Sequence, residues 1–234
     1  MTGTWKNPDP SWHTVEHPYS RPLPVRFRPG PTPDAPLVVL CHGMGETPDP
    51  FAARWPRVTA LPVHLIAPAG PHPFEIRDAD GIRIGHAWYL YDGEREPFRD
   101  TVTRSAEWLV NVIESLETRE GWTPVSRTLL GYSQGAYFGY VAALNHQDHF
   151  DRLVAVAGRL KKEFTAGALA TPGTLRTLVV HGEQDRAVSP DAARDSHRVL
   201  VRAGYSADLF LHPGGHGLTD DLDDHAATWL TAGD

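Results

Sequence analysis

The chain has 234 residues, with 22 Lys plus Arg against 29 Asp plus Glu and a formal net charge of −7 when histidines are neutral. That length fits one domain, the 41% of hydrophobic residues supplies a core, and the 22% of charged residues is too small a share for a disordered tail protein. A single cysteine, Cys41, excludes an intrachain disulfide and a Cys-based zinc cage, and the acidic balance, with Lys161-Lys162 as the only lysine pair, argues against nucleic acid as a partner.

Residues 1–35 form a proline-rich N-terminal segment whose Pro8, Pro10, Pro18, Pro22, Pro24, Pro29, Pro31 and Pro33 forbid long helices. It is expected to supply one edge strand at most, around Leu23, Val25 and Phe27. The opening residues MTGTWKNPDPSW lack the basic start and apolar run of a signal peptide, and no stretch approaches the roughly 18 apolar residues of a membrane span. A cytoplasmic protein with no membrane span is therefore expected.

From residue 36 to 234 the pattern reads as one domain of alternating strands and helices. Short apolar runs at 37–41, 63–67, 128–131, 153–156, 178–181 and 207–211 suit strands buried on both faces of a parallel sheet. Between them, Val102, Ala106, Leu109, Val110, Ile113 and Leu116 share one face of a helix predicted over 101–118. A small-residue helix is predicted over 136–144. Ser189-Pro190-Asp191 reads as a cap and first turn of a helix running to Ala203 before Gly204, and a last helix is predicted near 222–232. The segments 69–100 and 158–175, rich in Pro, Gly and charge, read as excursions over one sheet edge. The fold class is α/β, a doubly wound sheet.

The strongest chemical signal is Gly131-Tyr132-Ser133-Gln134-Gly135, between a strand run and a helix. A serine on so tight a turn is strained and its hydroxyl exposed, and the glycines leave room for the turn and for close helix packing. The competing reading is a glycine-rich turn with a solvated serine. A serine nucleophile needs a base and an orienting acid. Downstream, Asp185 follows the 178–180 run and His216 sits in Gly214-Gly215-His216-Gly217 after the 209–211 run, so both are expected to converge on Ser133 at the C-terminal strand edge. Glu183 and Asp191 are the competing acids. Oxyanion donors are expected from the backbone amides of Gln134, at a helix N-terminus, and Met44, in His42-Gly43-Met44-Gly45-Glu46. His42 reads as filling space beneath that loop, and Cys41 as a buried apolar residue. His181, His212 and His216 lack a rigid metal-ligand spacing, so no metal is expected, and Asp220, Asp221, Asp223 and Asp224 read as a solvated helix start.

Cys41-His42-Gly43-Met44-Gly45, Ala87-Trp88-Tyr89, Gly131 to Gly135, Ala157-Gly158-Arg159-Leu160, His181 to Val188 and Gly215-His216-Gly217 follow one another in the order of a known family. On these motifs, over about 36–230, the chain resembles the α/β-hydrolases, and within them the phospholipase/carboxylesterase branch of small bacterial serine esterases and acyl-protein thioesterases. The resemblance implies a mostly parallel sheet flanked by helices with no large separate cap domain. It also implies a hydrolase needing no metal or cofactor, with Ser133, Asp185 and His216 as triad and the amides of Met44 and Gln134 as oxyanion hole.

The sequence departs from that branch at Ala157, where serine is usual, and in the basic stretch Arg159-Leu160-Lys161-Lys162. The proline-rich start and residues 75–93 have no counterpart either. These departures bear on acyl and alcohol preference more than on reaction class. Trp88, Tyr89, Tyr132 and Leu160, with Met44, are the candidate lining of an apolar acyl pocket, and core packing is the competing reading for Trp88 and Tyr89. The expected function is cleavage of a small-molecule carboxylic ester through an acyl-Ser133 intermediate. Thioesterase, lysophospholipase or acyltransferase chemistry on the same triad is the alternative, and a catalytically silent ligand- or partner-binding module is the rival of another class. Related small esterases often associate, so the resemblance admits a homodimer, though no residue patch marks one.

Overall fold

The computed structural model describes residues 21–79, 81–91 and 93–232. Pro8, Pro10 and Pro18 lie outside them. The apolar runs become strands, and seven of them form one sheet in the order β1-β3-β2-β6-β7-β8-β9. These are β1 (Val25–Arg28), β2 (Leu37–Cys41), β3 (His64–Pro68), β6 (Arg127–Tyr132), β7 (Arg152–Val156), β8 (Arg176–Gly182) and β9 (Ser206–His212). The expected N-terminal edge strand is β1, the one antiparallel member, pairing Val25 with Pro68 and Phe27 with Ile66. All other neighbours in this sheet are parallel, with Cys41 opposite Gly131, Tyr132 opposite Val156 and Gly182 opposite His212. The register places the C-terminal ends of β2, β6, β8 and β9 along one edge of the sheet, with β7 between β6 and β8.

Side chains alternate across a strand, so each central run feeds two cores. Val39, Leu129, Leu153 and Val179 face one of them, and Leu40, Leu130, Val154 and Val180 the other. The first is covered by α3 (Arg95–Glu120), α4 (Gln134–Asn145) and α6 (Pro190–Ala203), and the second by α1 (Pro48–Ala52), α2 (Pro56–Ala60) and α7 (Asp220–Thr231). The outermost strand β9 departs from the expected two-faced burial: its residues are mostly half-buried, and among the described residues no strand flanks its outer edge. Among the described residues, no helix is long and apolar enough to cross a membrane.

Helix α3 starts at Arg95, nearly two turns before the predicted 101. Arg95-Glu96-Pro97 carries no apolar stripe, yet Phe98, four residues before Val102, continues the buried face, and a first-turn proline gives up no intrahelical bond. Ser189 caps α6 as expected, its Oγ accepting from the Asp191 N–H, and Gly204 at φ 96° ends it. The segment 69–100 is more than an excursion. It holds the antiparallel hairpin β4 (His72–Asp78) and β5 (Gly81–Ala87), tied to the loop after β2 by a bridge between Glu46 and His86. The segment 158–175 carries a short helical turn, Lys162–Phe164, and α5 (Ala166–Ala170), which packs on α4 and α6 in the helical layer rather than over a sheet edge. The acidic start of α7 is not uniformly solvated. Asp223 is buried and accepts from the backbone N–H groups of Arg57 (2.6 Å) and Val58 (3.1 Å), so a carboxylate of α7 caps the first turn of α2.

Candidate active site

Ser133 occupies the turn between β6 and α4 at φ 51°, a left-handed conformation that a non-glycine residue adopts only at a cost. Backbone crowding explains the glycines two positions either side. A Cβ on Gly131 would lie 2.3 Å from the Gly135 carbonyl oxygen, and one on Gly135 would lie 2.0 Å from that of Cys41. The Ser133 N–H is anchored on the Val156 carbonyl at 2.9 Å, and its side chain does not cap α4 as a serine there ordinarily would. The hydroxyl instead lies 3.0 Å from His216 Nε2.

His216 Nδ1 lies 2.7 Å from Asp185 Oδ2. An ionised carboxylate only accepts, so Nδ1 carries the proton, Nε2 is left as an acceptor, and the serine hydroxyl donates to it. The Asp185 side chain is wholly buried, and its Oδ1 accepts from the N–H groups of Ala187 (2.8 Å) and Val188 (2.9 Å). Burial pushes its pKa upward, but the hydrogen bonds from Val188, His216 and Ala187 outweigh that and hold it below the usual carboxylate range. His181, fully buried beneath it, lies 2.9 Å from the Val188 carbonyl and 3.2 Å from Asp185 Oδ2 through Nε2.

Two loops carry Asp185 and His216, and they are zipped together. The Glu183 N–H donates to the His212 carbonyl at 2.8 Å, and the Gln184 N–H to that of Gly214 at 2.9 Å. A Cβ on Gly182 would meet the Gly215 carbonyl oxygen at 2.2 Å, so this approach requires glycine. The Tyr132 hydroxyl donates to the His216 carbonyl at 2.9 Å, fixing the base from the third loop. Of the competing acids, Glu183 and Asp191 both face Arg194, at 3.6 and 3.2 Å. Among the described residues His181, His212 and His216 form no metal-holding group.

Met44 and Gln134 flank Ser133 across the same cavity. Gln134 opens α4, so its N–H has no helical carbonyl one turn back. The Met44 loop is pinned from every side. His42 is fully buried, and burial, partly offset by its bond to Gly43, lowers its pKa to about 4. It is therefore neutral near pH 7, with Nδ1–H donating to the Gly43 carbonyl (2.7 Å) and Nε2 accepting from the Gly70 N–H (2.9 Å). The His42 carbonyl accepts from the Trp88 indole at 2.8 Å. The Gly43 N–H donates to Glu46 Oε2 (2.8 Å), and the Gly45 N–H to the His86 carbonyl (2.8 Å). The Gln134 side chain joins the same frame, accepting from the Trp88 N–H at 2.9 Å and donating to the Tyr89 carbonyl at 3.1 Å.

A cavity of about 380 Å³ beside Ser133 is lined by Met44, Tyr89, Leu90, Tyr91, Gln134 and Tyr137. Of the residues expected to line an acyl pocket, Met44 and Tyr89 border this cavity and three do not. Trp88 is buried in the core, stacked on Phe138 at 4.6 Å. Tyr132 turns the other way, onto Phe51 and His216. Leu160 is buried beside α6, its N–H bonded to Ser196 Oγ at 2.9 Å. Sequence reading missed Leu90, Tyr91 and Tyr137. Tyr137 had a signal, since it stands one helical turn after Ser133 on the same face.

A mostly parallel sheet with a strained serine at the β6–α4 turn, facing a histidine and a buried aspartate from the β9 and β8 loops, defines an α/β-hydrolase. The chain belongs to the phospholipase/carboxylesterase family, whose model matches residues 28–218. Among solved structures it is similar to a carboxylesterase from Mesorhizobium loti, at 20% identity, TM-score 0.74, over 90% of this chain and 95% of that one. It is similar to the esterase PE8, at 23% identity and TM-score 0.71, over 89% and 97%. Acyl-protein thioesterase 2 of Zea mays gives 18% identity and TM-score 0.69 over 91% and 98%. At these identities the structures speak for the fold, and the family for a hydrolase of the phospholipase/carboxylesterase type.

Proposed function

We propose that the protein hydrolyses small-molecule carboxylic esters through an acyl-Ser133 intermediate. The observation that carries this reading is the unbroken chain from Ser133 Oγ through His216 (3.0 Å) to buried Asp185 (2.7 Å). His216 Nε2 takes the hydroxyl proton as Oγ attacks the ester carbonyl, and Asp185, kept ionised by its three donors, stabilises the imidazolium. The tetrahedral oxyanion forms between the N–H groups of Met44 and Gln134, each donor of this kind being worth about 10²–10³ in rate. His216 then protonates the leaving alcohol, activates a water against the acyl-serine, and returns the proton to Oγ. Water as the acceptor fits the exposed rim, since Met44, Leu90 and Tyr91 are each more than half exposed.

The test is initial rates on p-nitrophenyl esters from acetyl to palmitoyl, with a matched thioester. Ser133→Ala should keep the melting temperature and lose about 10⁴-fold or more in kcat. A variant that retains wild-type hydrolysis sinks the proposal. Labelling of the wild type, but not the variant, by a fluorophosphonate separates an active serine from a silent binding fold.

A further inference from the structure

Beyond the aromatic wall of the Ser133 cavity stand two cations that the triad does not use. The Arg159 guanidinium lies 5.5 Å from the ring of Tyr137, and Lys161 Nζ lies 5.8 Å from the ring of Phe98. Phe98 in turn packs edge-on against Tyr89 at 4.8 Å and Tyr91 at 5.1 Å. Tyr89, Tyr91 and Tyr137 line the cavity, so Arg159 is one ring removed from it and Lys161 two. The next residue behaves differently: Lys162 is paired with Asp195 at 2.8 Å. Neither Arg159 nor Lys161 forms an ion pair among the described residues.

The two charges also feel one another. Burial, and then Arg159, lower the Lys161 pKa, with Glu163 opposing them. Burial raises the pKa of Tyr89 and of Tyr137, keeping both phenols protonated and able to donate. A protein of net charge −7 thus holds, beside neutral phenol hydroxyls, two mutually repelling cations outside any ion pair among the described residues, with Arg159 hydrogen-bonded to the Tyr137 hydroxyl and Glu163 and Asp195 lining the same depression. An anion placed among them relieves the repulsion and accepts charge-assisted hydrogen bonds.

We infer that the acyl group of the preferred substrate carries an anionic end, a carboxylate, which Arg159 and Lys161 receive beyond the aromatic wall. The acyl side is assigned because the leaving group must lie where His216 can protonate it, whereas the lining of this cavity does not include His216. The inference rests on the acyl-Ser133 reading, and its test separates the two.

The test compares p-nitrophenyl monoadipate with the neutral p-nitrophenyl hexanoate, at low and high salt. A further arm uses the hexanoyl ester of 4-hydroxy-3-nitrobenzoate, whose negative charge is on the leaving group. The monoadipate should be preferred in kcat/KM at low salt, and the preference should shrink as salt screens the cations. Arg159→Gln should lower the monoadipate-to-hexanoate ratio about fivefold, and Arg159→Gln with Lys161→Gln about tenfold, in keeping with exposed charge pairs. Melting temperatures confirm that the variants fold. A hexanoate preference at low salt, a ratio unmoved by either variant, or a preference for charge only on the leaving group overturns the inference while leaving the acyl-serine reading intact. Turnover of both esters by Ser133→Ala, or a wild type that neither turns them over nor takes a fluorophosphonate, fails the acyl-serine reading itself.

Discussion

A methyl group on Gly135 would lie 2.0 Å from the Cys41 carbonyl oxygen and 2.7 Å from that of His42, and both are backbone atoms at the root of the Met44 loop. Gly135→Ala must therefore push α4 away from β2. It should cost about 1–3 kcal/mol, in the manner of overpacked cores, and lower kcat as the Met44 and Gln134 amides move apart. Melting curves and initial rates on one ester check both effects. Gly167→Ala is the control: a Cβ there meets nothing within 4 Å, so activity should hold and α5 should gain slightly from better helix propensity. The same steric logic made the meeting of Ser133, Asp185 and His216 legible in sequence. Ser133, Asp185 and His216 each stand where glycines or a strand end leave one backbone path, and order along the chain then says where they meet. The cavity wall was less legible. Trp88 and Tyr89 are adjacent aromatics, but one enters the core and the other faces the substrate side, and no spacing tells which side of an irregular loop a ring takes.

Elements were legible where burial was two-sided. The runs behind β2, β6, β7 and β8 are continuous because helices cover both faces, and a continuous apolar run is what such a strand must be. The β4–β5 hairpin does carry a signal, since Phe74 and Ile76 alternate with Glu75 and Arg77, and Ile82 and Ile84 stand either side of Arg83, but the proline, glycine and charge of the segment mask it when composition alone is weighed. It forms through its own ladder and is placed by contacts with the Met44 loop. That link ties the end of the hairpin to the Met44 loop, because Trp88 follows β5 directly and holds the His42 carbonyl through its indole. Trp88→Phe keeps an aromatic ring on Phe138 but removes that donor from the His42 carbonyl and part of the buried indole volume with it. The expected cost is about 1–3 kcal/mol in stability. Because the loop matters most when the oxyanion forms, kcat should fall more than KM rises. Equal changes in the two, or none in either, would place the indole outside the catalytic frame.

At the scale of the whole molecule, acid sensitivity follows from what the fold buries. His42 has an ordinary value near 6.5 and is lowered to about 4 by burial, so between those limits the unfolded chain binds a proton that the native one refuses. Stability from this site is complete above about pH 6.5 and declines as pH falls toward 4, by about 3 kcal/mol across the window at 1.36 kcal/mol per unit. His72, His146, His212 and His225 are lowered mainly by burial too, and push in the same direction. Asp185 adds a later loss. Its folded value is depressed, so its contribution is present above the unfolded carboxylate range and disappears as pH falls below it. Urea unfolding at steps from pH 7.5 to 4 should therefore give a plateau above about 6.5 and a steady decline beneath it. His42→Gln should flatten part of that slope, whatever its effect on stability at pH 7.5, since glutamine has no proton to take up. An unchanged slope in the variant would move the source of acid sensitivity from the oxyanion loop to the other buried histidines.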